Sequence, residues 1–511
     1  MDPTYLGYVK HLSQDKSDLR PLSEFLAGYC PQSGVEEVEC HTAGLEFRSD
    51  GTTSYFRIDN RELADVTSRF ITKDTSSSTV GLCLLVEDVG PSVMETLGGL
   101  LDVDPYFFCG HIERRFVDIE KDPPSPLMTS IPSRVGSQNF ANLHYQRPID
   151  LGELDSYSSI PYDLRLRGSA TTPRRALPEL FGRYIGLIRS CFSIFYKRLD
   201  DERWICLMLM DSISTDVIGC HLTKDGEKPK SFRTRQVPYR NRRGSISEMP
   251  KFSEYCKDPS SKAVRSTSMM GEVARLLQDC AETSERQPST YNLFFLSTGP
   301  IKLIIDEWLT YSLIMSRYIK VYEYSTQSVQ DRLSNFESED VVDLYRWRRR
   351  SQHSLHKLQV LKWFVESSMS PSKRHRENTP PVEEAEALMR DIDHIIAQIE
   401  QNRNALEAMI PIMASIVQLL DSRKSVIETI YVKRLTYIAI VFLPLSFVAT
   451  LFSMSDNFSI AGTGVWIYVA TALPLLLLVL IVSGLPTQAA LRKVKSLWRG
   501  DNMRFDRIYT N

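Results

Sequence analysis

Two uncharged apolar runs near the C-terminal end constrain this chain more than any other feature. Leu435–Met454 and Val465–Leu485 contain no Asp, Glu, Lys or Arg. A helix needs roughly 20 such residues to cross the hydrocarbon of a bilayer. Ser455–Gly464 joins the two runs, so a transmembrane hairpin is expected. Arg423, Lys424, Lys433 and Arg434 precede the first run, and Arg492, Lys493, Lys495 and Arg499 follow the second. The joining loop carries only Asp456. Basic flanks stay on the cytoplasmic side, which predicts two spans with both termini cytosolic and the loop outside. The opening residues MDPTYLGYVKHLSQDK lack the apolar core of a signal peptide, so insertion is expected to depend on the late hairpin.

The rest of the chain reads as water-facing protein. A net charge of −2 over 511 residues gives no global field for nucleic acid, and no nucleic-acid partner is expected. All nine cysteines lie between Cys30 and Cys280 without a C-x-x-C pair, as free thiols in a reducing cytosol would. Short apolar runs, Leu45–Arg48, Ser54–Ile58 and Gly81–Val89, sit between turn residues and predict strands. A helix is expected near Ser92, after Pro91. Cys191–Arg198 and Arg203–Asp211 flank a polar turn and predict a β-hairpin. Together these predict an α/β fold for the N-terminal cytosolic domain.

Two stretches interrupt that pattern. Lys121–Gln138 is rich in Pro and Ser and predicts a surface loop. Thr223–Pro250 is basic without apolar periodicity and reads as a solvated loop. It contains Arg242-Arg243-Gly244-Ser245, a pattern that basophilic kinases favour.

Helical spacing begins near Ser289. Ile301–Tyr324 and Val341–Ser367 carry apolar residues three and four apart, and the polar run Ser370–Pro381 ends the pair. Beyond it Leu388, Ile392, Ile395, Ile399, Leu406, Met409, Met413, Ile416 and Leu420 alternate as in a coiled coil, with Asn402 at one seam position. Pro411 is expected to kink this helix or to break its hydrogen bonding locally. Continued from Glu383 to Met454, it would be roughly 100 Å long. Such a stripe predicts partner helices, hence a homo-oligomer packed around an axis.

The chain thus divides into a cytosolic α/β domain (1–285), a helical pair (286–370), a linker (371–381) and a long stalk helix (382–434). The first transmembrane helix (435–454), an extracytosolic loop (455–464), the second transmembrane helix (465–485) and a basic cytosolic tail (486–511) follow. In the first span Thr436, Ala439, Leu443, Ser446, Thr450 and Ser453 fall within about 100° of arc. Spacing alone suits a pore wall and a helix–helix contact equally. No Walker loop, G-x-S-x-G, H-E-x-x-H or dinucleotide fingerprint occurs, so an enzyme is not expected. His353 and His356 lie three apart on a charged helix, where two ligands for one metal and two solvated side chains are both open.

Arg434–Ser455, RLTYIAIVFLPLSFVATLFSMS, resembles the first transmembrane helix of the CorA family of magnesium channels. The matching residues are Leu435-Thr436, then Phe442-Leu443-Pro444-Leu445-Ser446-Phe447, then Phe452-Ser453-Met454-Ser455. The N-terminal part is similar to divergent fungal members over Leu97–Ile112 and Tyr345–Gln359. The resemblance implies a homopentamer in the bilayer and passive flux of Mg²⁺ or another divalent cation. The first helix would line the pore, with Leu435 and Leu443 as apolar constrictions and Ser446 as the hydroxyl position. The ion is then cargo or regulator, and no resident cofactor is implied. The family's Gly-Met-Asn signature reads Ser453-Met454-Ser455 here. Its Asn contributes a ring of amide oxygens at the outer mouth and its Gly a sharp turn. Ser455 is a shorter donor, Ser453 lacks glycine's φ freedom, and Asp456 with Asn457 could act at the mouth instead. The family's regulatory acids do not align, although Glu87, Asp88, Asp102 and Asp104 are present; Asp88 and Asp102 are expected to be capping or solvated carboxylates. The alternative function is a non-conducting, membrane-anchored binding or signalling domain on the same scaffold.

Overall fold

The computed structural model describes residues 4–28, 40–72, 78–112, 123–150, 162–166, 185–211, 216–221, 230–233, 256, 268–283, 286–327, 338–369, 382–453 and 464–484. By contacts the chain divides into two units, Met1–Ile412 and Met413–Asn511.

The first unit is built on a six-stranded sheet. Its strands are β1 (His41–Arg48), β2 (Thr53–Ile58), β3 (Thr79–Glu87), β4 (Phe140–Asp150), β6 (Ile185–Arg198) and β7 (Trp204–Met210), in the order β2-β1-β3-β7-β6-β4. β5 (Tyr162–Leu166), β8 (Asp216–His221) and β9 (Lys230–Arg233) form a smaller sheet. β3 and β7 are parallel neighbours at the centre of the large sheet, and its other pairings are antiparallel. Strands buried on both faces need continuous apolar runs. GLCLLV in β3 and WICLMLM in β7 meet that need, and all of β7 is buried.

One sheet face carries α1 (Tyr5–Asp15), α2 (Arg20–Leu26), α3 (Leu63–Thr72), α4 (Pro91–Leu101) and α5 (Pro105–His111). Val9, Leu22, Leu97, Phe107 and Phe108 interlock there with Leu84, Val86, Leu207 and Leu209. The other face meets α7 (Met269–Thr283) and α8 (Leu293–Gln327), with α9 (Ser338–Ser368) beyond on β4. The strands and hairpin expected over Leu45–Arg48, Ser54–Ile58, Gly81–Val89 and Cys191–Asp211 are therefore present, with Ser193 opposite Leu209 and Arg198 opposite Trp204.

Four expectations change. Lys121–Gln138 contains a helix, α6 (Pro132–Ser137), started by Pro132, whose fixed φ suits a first helical position. The basic stretch 223–250 contributes β9, paired with β8; its remaining residues, Ser245 included, lie outside the described ones. The next helix, α10 (Val382–Ser453), is continuous through Pro411, because one missing N–H costs a single bond in a 72-residue helix.

The fourth change concerns the seam. Leu388, Ile392, Ile395, Ile399, Leu406 and Met409 are all buried within one chain. Polar contacts show what covers them. Lys302 Nζ on α8 donates to Glu384 at 2.8 Å, Ser312 Oγ to Gln398 at 3.1 Å, and Lys362 Nζ on α9 to Asp393 at 2.7 Å. Asn402, the polar seam residue, donates to the Ser312 carbonyl at 3.5 Å. The stripe's partners are the chain's own α8 and α9, so over these residues it gives no argument for an oligomer.

Candidate pore helix and its partner

The second unit holds the end of α10 and α11 (Gly464–Gly484). Among the described residues one helix, within 383–451, is long and apolar enough to cross a membrane; Trp466–Val479 is a shorter apolar helix. Gly464 opens α11 rather than closing the loop.

Two faces of α10 differ. Val448 is 5% exposed and Ala472 on α11 is 3% exposed, and Pro444 is buried too. Tyr468 Oη on α11 donates to the Leu445 carbonyl at 3.4 Å. The helices therefore meet along Pro444 and Val448 on one side and Tyr468 and Ala472 on the other, each pair one turn apart. Leu435, Thr436, Leu443, Ser446 and Thr450 lie about 150° around the helix from this contact. All five are exposed, Leu435 and Leu443 each at 70%. Ser453 is the last helical residue; Met454, Ser455 and Asp456 lie outside the described residues, as do the remaining loop and the tail.

The hydroxyls on this face share one orientation. Thr436 donates to the Val432 carbonyl at 2.8 Å, Ser446 to Leu443 at 3.0 Å, and Thr450 to Ser446 at 2.7 Å. Each proton is spent on the helix's own backbone, so the oxygens present lone pairs outward as acceptors. Water bound to a cation presents its hydrogens outward, and acceptor oxygens match that shell. The intervening Leu435 and Leu443 make the same surface apolar in alternate turns. An exposed apolar surface alternating with hydroxyl acceptors suits a second copy of the helix, lipid, or a hydrated ion.

Elsewhere the candidate ligands have structural work. Asp102 caps α4 in the left-handed region at φ 55°, and Asp88 has φ 58°. Asp104 accepts the Tyr106 N–H at 2.9 Å and caps α5. Glu87 is buried at the end of β3. His356 Nε2 donates to the Leu127 carbonyl at 2.9 Å, so that nitrogen carries its proton and cannot ligate a metal; His353 is exposed. Among the described residues no three His, Cys, Asp or Glu side chains could hold a metal.

A buried polar set that spacing did not reveal closes one end of the sheet core. His111 Nδ1 lies 2.8 Å from Ser193 Oγ, its Nε2 4.0 Å from Asp211, and Asp211 accepts the Cys191 N–H at 2.9 Å. His111, Ser193 and Asp211 are each at most 1% exposed, which makes them mutual satisfiers of buried polar groups. Cys40, Cys83, Cys109, Cys191, Cys206, Cys256 and Cys280 form no disulfide. Burial pushes Cys40 up to about 12 and raises Cys206, so both stay protonated and inert at neutral pH. Sequence reasoning also missed Tyr468. Its only signal was an aromatic hydroxyl four residues before Ala472 in an otherwise aliphatic helix.

The chain thus combines a sheet domain with its helical bundle and a pair of apolar helices, one of which is long and apolar enough to cross a membrane. Residues 308–489 match the model of the family described as CorA-like Mg²⁺ transporter protein, a likeness confined to that region. The complete structure of the CorA magnesium transporter from Methanocaldococcus jannaschii aligns with 86% of this chain and 96% of that chain. Identity is 10% and the TM-score 0.36. No curated protein matches the chain.

Proposed function

We propose that the protein conducts divalent cations passively, Mg²⁺ foremost, as a cyclic homo-oligomer, a pentamer, around an axis lined by α10. The wall consists of Leu435, Thr436, Leu443, Ser446 and Thr450, with Ser453, Met454, Ser455 and Asp456 at the outer mouth. α11 is the second span, which puts both termini in the cytosol. The carrying observation is that α11 covers the Pro444–Val448 face and leaves the hydroxyl face open, its protons directed into the helix. Mg²⁺ sheds water slowly, so acceptor oxygens that bind its hydration shell suit it. Leucine rings between them can close the path by dewetting. The ion is cargo.

Ser453-Met454-Ser455 supports a second reading, in which the scaffold no longer conducts and the hairpin anchors a cytosolic binding domain. Cysteine substitution separates the two. No native cysteine follows Cys280, and the exposed Cys256 and half-buried Cys280 are first replaced by serine so that labelling reports on α10. A water-soluble thiol reagent labels Ser446→Cys and Thr450→Cys in membranes if they line a pore, and spares Ile438→Cys on the lipid side. Equal protection of all three supports the anchor.

A further inference from the structure

The second helix does more than cover a face. Pro444 has no N–H, so the Ile440 carbonyl loses its donor and the turn from 440 to 444 lacks one bond. A helix weakened in this way is a place to bend unless a neighbour supports it. The supporting contact is present at that turn. Tyr468 Oη reaches the Leu445 carbonyl, one residue after the proline. Ala472, one turn along from Tyr468, is 3% exposed, and Val448, one turn along from Pro444, is 5% exposed. Elsewhere around this turn α10 is open: Phe442 is 66% exposed, Leu443 70% and Phe447 59%. Among the described residues, support therefore comes from one side, opposite Leu443 and Ser446.

We infer that Tyr468 and Ala472 form a clasp on the Pro444 turn, making Tyr468 a positioning residue for the Leu443 constriction. This deepens the pore reading and rests on it for the part that concerns flux. The phenol oxygen is the specific element, because phenylalanine keeps the ring and removes only the donor. Ala472 is the steric element: a larger side chain there separates the helices where the hydroxyl must reach.

The test compares the full-length protein with Tyr468→Phe and Ala472→Leu in lipid nanodiscs and liposomes. Amide hydrogen exchange over 441–449 is expected to rise several-fold in both variants, with exchange in the sheet domain unchanged. In liposomes the maximal Mg²⁺ flux is expected to change several-fold while the half-saturating Mg²⁺ concentration stays constant, because the clasp moves the constriction and touches no ion. Unchanged exchange in Tyr468→Phe overturns the clasp. Unchanged flux in a conducting protein whose exchange has risen overturns the link to Leu443. A wild-type protein that passes no Mg²⁺ contradicts the transport reading instead, and exchange then decides the clasp by itself.

Discussion

Replacing Ile399 by alanine empties a site that is 0% exposed, in the centre of the seam between α10 and its partners α8 and α9. Deleting most of a buried isoleucine side chain costs about 2–5 kcal/mol, from lost transfer energy and the cavity left behind. Neighbouring polar contacts pin this turn of the helix: Gln398 accepts from Ser312, and Asn402 donates to the Ser312 carbonyl. Collapse into the cavity is thereby restricted, which favours the middle of the range. A loss of about 3 kcal/mol lowers the folded-to-unfolded ratio on the order of a hundredfold. Because the covering helices belong to the same chain, the loss must not depend on protein concentration. Ile427→Ala supplies the contrast, since Ile427 lies further along the same helix and is 53% exposed. It should leave unfolding of the sheet-bearing unit unchanged and weaken association between copies. Denaturant unfolding is followed through Trp308 and Trp347, both buried in this bundle, at two protein concentrations tenfold apart. A shift of the Ile399→Ala midpoint with concentration, or a loss below about 0.5 kcal/mol, refutes the intramolecular seam.

Three further outcomes are expected. Gly81→Ala drives a methyl into the indole of Trp204, which is held by donation to the Pro288 carbonyl at 2.8 Å. Thermal unfolding should report a loss of about 1–3 kcal/mol, and an unchanged melting temperature contradicts the packing. Arg147 and Glu307 pair at 3.2 Å with side chains 2% and 4% exposed. Arg147→Met alone should cost about 3–5 kcal/mol by stranding a buried carboxylate, and Glu307→Leu added to it should recover most of that in a double-mutant cycle. The Arg203 guanidinium donating to Asp200 holds that carboxyl down to about 2, from 3.8. A depressed carboxyl stabilises the fold above its unfolded value and loses that contribution as pH falls from about 4 towards 2. The β6–β7 turn should therefore show lower protection, taken relative to the intrinsic exchange rate at each pH, at pH 2.5 than at pH 5 in the native protein, a change that Asp200→Asn removes.

How much was legible in the sequence depended on whether the cause was local. GLCLLVEDV announced a central strand because burial on both faces requires an unbroken apolar run. The hairpin around Asp200 was visible because apolar runs flank a polar turn. Lys230–Arg233 was hidden, since a strand in a charged context is set by its pairing with β8 and by nothing periodic of its own. Leu388, Ile392 and Ile399 showed which face is covered, but a heptad pattern carries no information on whether the cover comes from the same chain. The hydroxyl face of Thr436, Ser446 and Thr450 followed from 3.6-residue spacing. Its exposure within the chain did not, because that depends on α11 choosing Pro444 and Val448. The Tyr468 contact joins residues 23 apart in sequence and left no pattern to read.

The central claim is that α10 lines a divalent-cation pore. Its most direct test is Mg²⁺ influx into liposomes carrying the purified protein under a negative-inside potential, beside Ser446→Trp. The account predicts influx in the native protein and its abolition by tryptophan on the open hydroxyl face, with both proteins folded and assembled alike. Absence of influx in the native protein, or influx undiminished in Ser446→Trp, contradicts it.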